Sequence, residues 1–288
     1  MTSTISARPS RSLKGYVAIV TGAGSADEGI GNGRASAILL AEAGCSVVCV
    51  DLSATYAEKT ASMIEADRTG SQSAIALSAN VTDELQCKSI VQSTVEKYGR
   101  LDILVNNVGI MGAKGTAETV DMAEWDVGMR VNVSSMVMMA KYAIPEMKKN
   151  DNAKGWRGAI VNMGSITGLM GGAPSLLYPT SKGAVMNLTR SMANHHAPDG
   201  IRVNCVCPGM LYTPMTYGFG MTEEMRKTRR EQSLLKTEGT GWDCGAAVRF
   251  LACDEARWIT GTTLTVDAGL TSSIAIVVEP KQMNELKQ

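Results

Sequence analysis

An apolar run, Tyr16–Val20, leads straight into the segment TGAGSADEGIGNGRA, Thr21–Ala35, and from there into a helical pattern, Arg34–Ala43. Few folds accept a strand, a glycine-rich turn and a helix in that order. Glycines let the chain turn tightly and bring its backbone close to a phosphate. The unpaired amides and dipole of a helix N-terminus favour negative charge there. A second run, Ser46–Val50, ends on an acid, Asp51, 18 residues beyond Gly33. A carboxylate so placed can accept both hydroxyls of an adenosine ribose and repels a 2′-phosphate. Two further acids in the loop, Asp27 and Glu28, also disfavour that phosphate. The expected cofactor is therefore NAD(H), with NADP(H) the alternative that Arg34, early in the helix, keeps open.

Five more short runs recur down the chain: Ala74–Leu77, Ile103–Val105, Ala159–Asn162, Arg202–Val206 and Leu264–Val266. They are rich in Val and Ile and continuously apolar rather than alternating, as strands covered on both faces are. Helical patterns separate them, at Tyr56–Asp67, Asp83–Tyr98, Met122–Met147, Tyr178–His196 and Trp242–Leu251. Asp83 after Thr82 marks a helix start, and Gly44 and Gly99 mark helix ends. This alternation predicts an α/β chain: a single-domain, Rossmann-like, doubly wound parallel seven-stranded sheet flanked by helices on both faces. The domain is expected over 14–271, after a disordered N-terminal tail over 1–13 that is rich in Ser, Thr and Arg. A C-terminal tail, 272–288, carries a short apolar stretch, IAIVV, that could close a pocket or pack on a neighbouring subunit. Within the domain, 214–241 breaks the alternation and holds a charged run, EEMRKTRRE, read as a solvated helix face.

Composition removes several function classes. With 28 Lys+Arg against 28 Asp+Glu the net charge is zero, which argues against non-specific nucleic-acid binding and against a basic membrane-surface protein. No apolar run approaches the ~20 residues a membrane helix needs. The 7 cysteines form no CxxC pair, so reduced, buried thiols in a cytoplasmic protein are expected rather than a disulfide framework or zinc site. Adjacent His195 and His196 cannot both face one metal from a helix, and no metal site is expected.

Later motifs add to the loop. Asn80-Val81 follows the third run, Asn106-Asn107-Val108-Gly109 the fourth, and Tyr178-Pro179-Thr180-Ser181-Lys182 lies 13 residues after Ser165. Pro208-Gly209 is followed by Leu211 and Thr213, and ITGTTLTVDAG, Ile259–Gly269, closes the series. In this order the motifs resemble the short-chain dehydrogenase/reductase family over about Lys14–Gly269. The chain departs from that family's TGxxxGxG loop, since Gly22 and Gly31 stand nine apart instead of four. Gly31-Asn32-Gly33 aligns with the closing glycine pair, because GRA then leads into a helix of the usual length to Gly44, and Gly29-Ile30-Gly31 is the alternative. Other departures are Asn80 for Asp, Val108 for Ala, and Ala268 where glycine is usual. The resemblance implies a dinucleotide held by Gly22, Ser25, Ile30, Gly31 and Asn32 at the phosphates. It places Asp51, Leu52, Asn80 and Val81 on the adenosine side, and Asn107, Gly109, Pro208, Gly209, Leu211 and Thr213 towards the nicotinamide. It also implies a homotetramer or homodimer formed through the long fourth and fifth helices.

The same resemblance makes Ser165, Tyr178, Lys182 and Asn132 the catalytic set. Tyr178 and Lys182, four apart, share one face of a helix. A free phenol, with pKa ~10, is a poor base at neutral pH. An ammonium ~4 Å away contributes ~4 kcal/mol at an effective dielectric of ~20, enough to lower that pKa by roughly three before screening. Tyr178 is then expected to exchange the hydroxyl proton as hydride moves. Ser165 would donate to the substrate oxygen, Lys182 would also hold the nicotinamide ribose, and Asn132 would anchor a water near the lysine.

The resemblance also makes 214–241 the variable segment that covers the substrate, and the residues expected to frame the substrate are Met111, Leu169, Met170, Leu177, Tyr212, Met215 and Phe219, nearly all apolar. They suggest a bulky, weakly polar small molecule of terpenoid, steroid or polyketide type. The leading reading is thus an NAD-dependent secondary alcohol dehydrogenase or ketone reductase. An NADPH-dependent biosynthetic ketone reductase, a non-redox cyclase or isomerase on the same fold, and a catalytically silent dinucleotide-binding regulator stand as alternatives.

Overall fold

The seven apolar runs pair as one parallel sheet in the order β3-β2-β1-β4-β5-β6-β7. This is a computed structural model, and it describes residues 8–26, 28–171, 173–218 and 220–272. The strands are β1 (Val17–Thr21), β2 (Ser46–Asp51), β3 (Ala74–Ser78), β4 (Ile103–Asn106), β5 (Gly158–Met163), β6 (Ile201–Pro208) and β7 (Thr263–Val266). Every residue of β1, β4, β5 and β6 is buried, which accounts for their unbroken apolarity. Strand order reverses between β1 and β4, where Thr21 pairs with Val50 on one side and Asn106 on the other. Chains leaving such a switch point diverge and open a crevice at the carboxyl edge.

Helices cover both faces. On one side α1 (Asn32–Glu42) and α9 (Gly241–Ala252) enclose a core that includes Val20, Leu40, Val161 and Val248. On the other, α3 (Glu84–Tyr98), α5 (Ser135–Met147) and α6 (Leu177–His196) bury Ile19, Val48, Leu104, Ile144 and Val203. The remaining helices are α2 (Ala54–Ala66), α4 (Met122–Met129), α7 (Pro214–Tyr217) and α8 (Glu223–Gln232). Local chemistry sets the ends. The Asp83 carboxylate accepts from the amides of Leu85 and Gln86 at the start of α3, and Gly99 closes that helix at φ 76°. The charged run forms α8, which buries no residue.

Two boundaries differ from the sequence reading. Leu13, placed in the tail, is fully buried and its amide bonds the Ala43 carbonyl at 2.7 Å, so the domain takes it in. The pattern Met122–Met147 is not one regular helix: a π-helical turn, Arg130–Ser134, joins α4 to α5. Periodicity cannot reveal that single wide turn, which here carries Asn132 inward to full burial. The IAIVV stretch lies outside the described residues. The seven cysteines are buried and free. Among the described residues no helix is long and apolar enough to cross a membrane, and no group of three or more His, Cys, Asp or Glu could hold a metal ion.

Candidate active site

The crevice at the switch point is a continuous groove of two cavities, of about 440 and about 370 Å³, which share Gly22, Gly24, Asn107, Gly109 and Met215. The loop after β1 forms its floor. A Cβ on Gly33 would collide with the Gly22 carbonyl, and Gly22 itself holds φ +62°. Helix α1 begins at Asn32 behind Gly31, so Gly31-Asn32-Gly33 is the closing glycine pair. No side chain caps this helix, and Asn32 Oδ1 is buried without a partner. Bare backbone and an uncapped helix N-terminus suit a dinucleotide's phosphates, and the unpartnered Asn32 oxygen is free to accept from a donor in the groove. Asn107 donates from Nδ2 to the Gly22 carbonyl at 2.9 Å and so ties the loop after β4 to the loop after β1.

Asp51, Leu52, Asn80 and Val81 line the smaller cavity. Asp51 Oδ2 accepts from the Gly24 amide at 2.9 Å and Oδ1 from the Ser53 amide at 3.0 Å. The carboxylate is thereby held at the groove wall with acceptor capacity to spare. Arg34 does not face the groove. It is fully buried beneath the loop and donates to the carbonyls of Gly29 and Ser25 at 2.6 and 2.8 Å and to Thr60 Oγ1 at 3.0 Å. Burial lowers its pKa, opposed chiefly by Glu28 and Asp51.

The larger cavity brings Ser165, Tyr178 and Lys182 together with Gly31, Asn32 and Pro208, Gly209, Leu211 and Thr213. Ser165 follows β5, and the Tyr178–Lys182 pair lies in the first turns of α6. Lys182 is 2% exposed, and its ammonium donates to the Met163 carbonyl at 2.8 Å. It stands 5.6 Å from the centre of the Tyr178 ring. Burial pulls the lysine down to about 8. The expected depression of the Tyr178 phenol is not seen in the protein's own groups: burial pushes it above its usual value, and the hydrogen bond with Ser165 opposes this only in part. Holding both groups in one pocket desolvates the phenol as well as placing the ammonium near it, and desolvation is the larger effect.

Asn132 lies beside the same helix. Its Oδ1 accepts from the Ile110 amide at 2.8 Å, and its Nδ2 donates to the Ile110 carbonyl and to Ser181 Oγ at 2.9 and 3.0 Å. The side chain ties the Gly109-Ile110 loop to Ser181 of α6, one residue before Lys182.

Of the expected substrate residues only Met215 lines the groove, and it lines both halves. Met111, Leu169 and Met170 are 38–47% exposed, on the segments that follow Gly109 and Ser165. Leu177 is core: it is fully buried, and its methyl groups occupy the spaces left by Gly112 and Gly128. The Tyr212 ring lies outside the groove lining, packed against Tyr217 and beneath Arg226. Phe219 lies outside the described residues. Ile30 does not line the groove either, because its carbonyl abuts Gly241 at the start of α9. Sequence reasoning missed Tyr56, Gly164 and Thr216, which line the larger cavity without any motif to mark them.

Comparison with known proteins agrees with this geometry. Residues 24–271 match the family model described as enoyl-(acyl carrier protein) reductase. The meso-2,3-butanediol dehydrogenase of Serratia marcescens is 34% identical over 89% of this chain and 95% of its own length. The 2-(S)-hydroxypropyl-CoM dehydrogenase 3 of Xanthobacter autotrophicus is 36% identical over 91% of this chain and 99% of its own. A crystal structure from Burkholderia xenovorans, assigned to the short-chain dehydrogenases/reductases, superposes with a TM-score of 0.82 at 35% identity, covering 91% of this chain and 98% of that one.

Proposed function

This chain belongs to the short-chain dehydrogenase/reductase family, and from that premise we propose that it moves a hydride between NAD(H) and a secondary alcohol or its ketone, with Tyr178 as general acid and base. Membership makes it an NAD(P)-dependent oxidoreductase acting on CH–OH groups. The observation that carries the finer reading is one of placement. Ser165, Tyr178 and Lys182 line one end of the groove that Asp51 walls at the other.

A bound dinucleotide supplies the hydride acceptor or donor and, when oxidised, a positive ring beside the phenol. The chain's own residues do the rest. Ser165, which lines the cavity beside Tyr178, donates to the substrate oxygen and stabilises charge developing there. Tyr178 takes the hydroxyl proton during oxidation and returns it during reduction. Lys182, with a pKa near 8, is mostly protonated at neutral pH. A cation 5.6 Å from the centre of the Tyr178 ring favours the phenolate, and the positive ring of an oxidised dinucleotide would add to that pull against the burial that raises the phenol. Gly22, Ser25, Gly31 and Asn32 would hold the pyrophosphate, Asn107 and Gly109 the nicotinamide ribose, and Pro208, Gly209, Leu211 and Thr213 the amide.

Two observations support NAD(H) over NADP(H). Asp51 stands at the ribose end, and Arg34 is committed beneath the loop. The exposed apolar side chains of Met111, Leu169, Met170 and Met215 support a bulky, weakly polar substrate. Exposed Met122, Val127 and Val137 on α4 and α5 support a homodimer or homotetramer built through those helices. The test is a titration with NADH and with NADPH, read by protein-to-nicotinamide fluorescence transfer. NADH binding at least tenfold tighter, about 1.4 kcal/mol, is expected. Tighter NADPH binding overturns the cofactor assignment, and a turnover screen that favours small polyols overturns the substrate class.

A further inference from the structure

The insertion that lengthens the phosphate loop is fastened from below. Arg34 holds the carbonyls of Ser25 and Gly29 at 2.8 and 2.6 Å and donates from Nε to Thr60 Oγ1 at 3.0 Å. The Thr60 hydroxyl in turn donates to the Ala23 carbonyl at 2.8 Å. Thr60 belongs to α2, and Lys59 of the same helix pairs with Glu28 at 2.7 Å. A buried guanidinium thus takes up the Ser25 and Gly29 carbonyls, which would otherwise need other partners.

Above, the loop meets the covering segment. A Cβ on Gly29 would run into the Pro214 ring and the Tyr217 hydroxyl, both in α7, so only glycine permits this approach. The Tyr217 ring packs on Tyr212, with centroids 4.9 Å apart and planes inclined at 41°. Arg226 of α8 lies over the Tyr212 ring at 4.1 Å. Glu238 accepts from both Nε and Nη2 of Arg226, the first at 2.6 Å. Contacts therefore run from Gly29 through Tyr217, Tyr212 and Arg226 to Glu238, from α7 at the groove to the far side of α8. Met215, which lines both cavities, stands between Pro214 and Tyr217 in this row.

We infer that Gly29 and Arg34 are positioning residues: the insertion, shaped by Arg34 and docked through Gly29, seats α7 and α8, so the position of the substrate-covering segment is set from the cofactor loop. The seating is a property of the chain itself. Its consequence, that substrate binding depends on the shape of the phosphate loop, rests on the hydride-transfer reading above.

The test uses the full chain without cofactor. Gly29→Ala, Tyr217→Ala and Tyr217→Phe are compared with the unaltered protein by hydrogen exchange at the Thr216, Tyr217 and Gly218 amides, which bond the carbonyls of Thr213 and Pro214, and by the rate of tryptic cleavage at Arg226–Arg230. Gly29→Ala and Tyr217→Ala are expected to raise both rates at least tenfold while β6 keeps its protection. Tyr217→Phe, which retains the ring on Tyr212, should leave tryptic cleavage within twofold. Unchanged rates in both alanine variants overturn the inference, and so does a rise matched by equal loosening of β6, which is global destabilisation. Arg34→Lys keeps the charge but not the fork and should loosen α7 by an intermediate factor; no effect there removes Arg34 from the assignment. Added NADH or NADPH should slow cleavage of the unaltered protein. If neither dinucleotide binds, the hydride-transfer reading fails and the seating, measured without cofactor, stands.

Discussion

The Lys182 ammonium is tied to the Met163 carbonyl at 2.8 Å and stands 5.6 Å from the centre of the Tyr178 ring. One hydrogen bond thus fixes a buried cation beside a buried phenol. The cation is held there at a cost to the fold. Its pKa falls from 10.5 to about 8 because burial disfavours charge, a shift worth roughly 3 kcal/mol. Below pH 8 the folded state carries that cost in full. Between 8 and 10.5 the unfolded chain binds the extra proton, so stability rises with pH, and above 10.5 the cost is gone. Lys182→Met is therefore expected to melt higher than the unaltered protein at pH 7, with a gain that shrinks as pH rises through 8 to 10.5. Calorimetry across that range checks it. A lysine variant that melts lower at pH 7 shows that the Met163 bond outweighs desolvation.

Tyr178→Phe removes the proton-carrying oxygen and keeps the ring. General acid–base catalysis contributes about 10²–10⁴-fold, so steady-state turnover should fall by that range. Dinucleotide affinity should stay within twofold, because the phosphate loop and Asp51 are untouched. Retention of more than a tenth of the activity would place proton transfer on another group.

Asp51→Asn isolates charge from geometry, since an amide oxygen can still accept from the Gly24 amide that Asp51 Oδ2 now bonds at 2.9 Å. With the negative charge gone, repulsion of a 2′-phosphate goes too. The ratio of NADPH to NADH affinity is expected to rise at least tenfold, read by fluorescence titration. An unchanged ratio means that the loop's shape, not the carboxylate, discriminates.

How far the sequence could be read depended on whether a feature is local. Asp83, Gly44 and Gly99 announce helix ends through their own chemistry, and the apolar runs announce a sheet buried on both faces. The Ser165, Tyr178 and Lys182 set was legible because spacing along β5 and α6 carries it. Residues whose partners lie far away in sequence were not. Leu177 looks like a pocket residue until Gly112 and Gly128 are found to leave room for it. Tyr212 looks the same until Arg226, 14 positions on, is found over its ring. Arg34 suggests a phosphate ligand only while its own loop is taken to be open. Asn132 needs a π turn, which leaves no mark in apolar periodicity.

Ala268 supplies the last prediction. It holds φ 50°, one of two non-glycine residues at positive φ among those described, where the family motif has glycine. The turn leaves it no choice. Its carbonyl accepts from the amides of Leu234 and Leu235 at 3.0 and 3.3 Å, and Asp267 ties down Gly269 and Thr271 on the other side. A left-handed conformation costs an alanine roughly 1–2 kcal/mol, while glycine costs about 0.5–1 kcal/mol more backbone entropy. The balance favours Ala268→Gly by about 0.5–1 kcal/mol, a rise in melting temperature of about 1–4 °C for a domain of this size. Thermal unfolding checks this directly. A lower melting temperature would mean that the alanine methyl packs well enough to outweigh the strain.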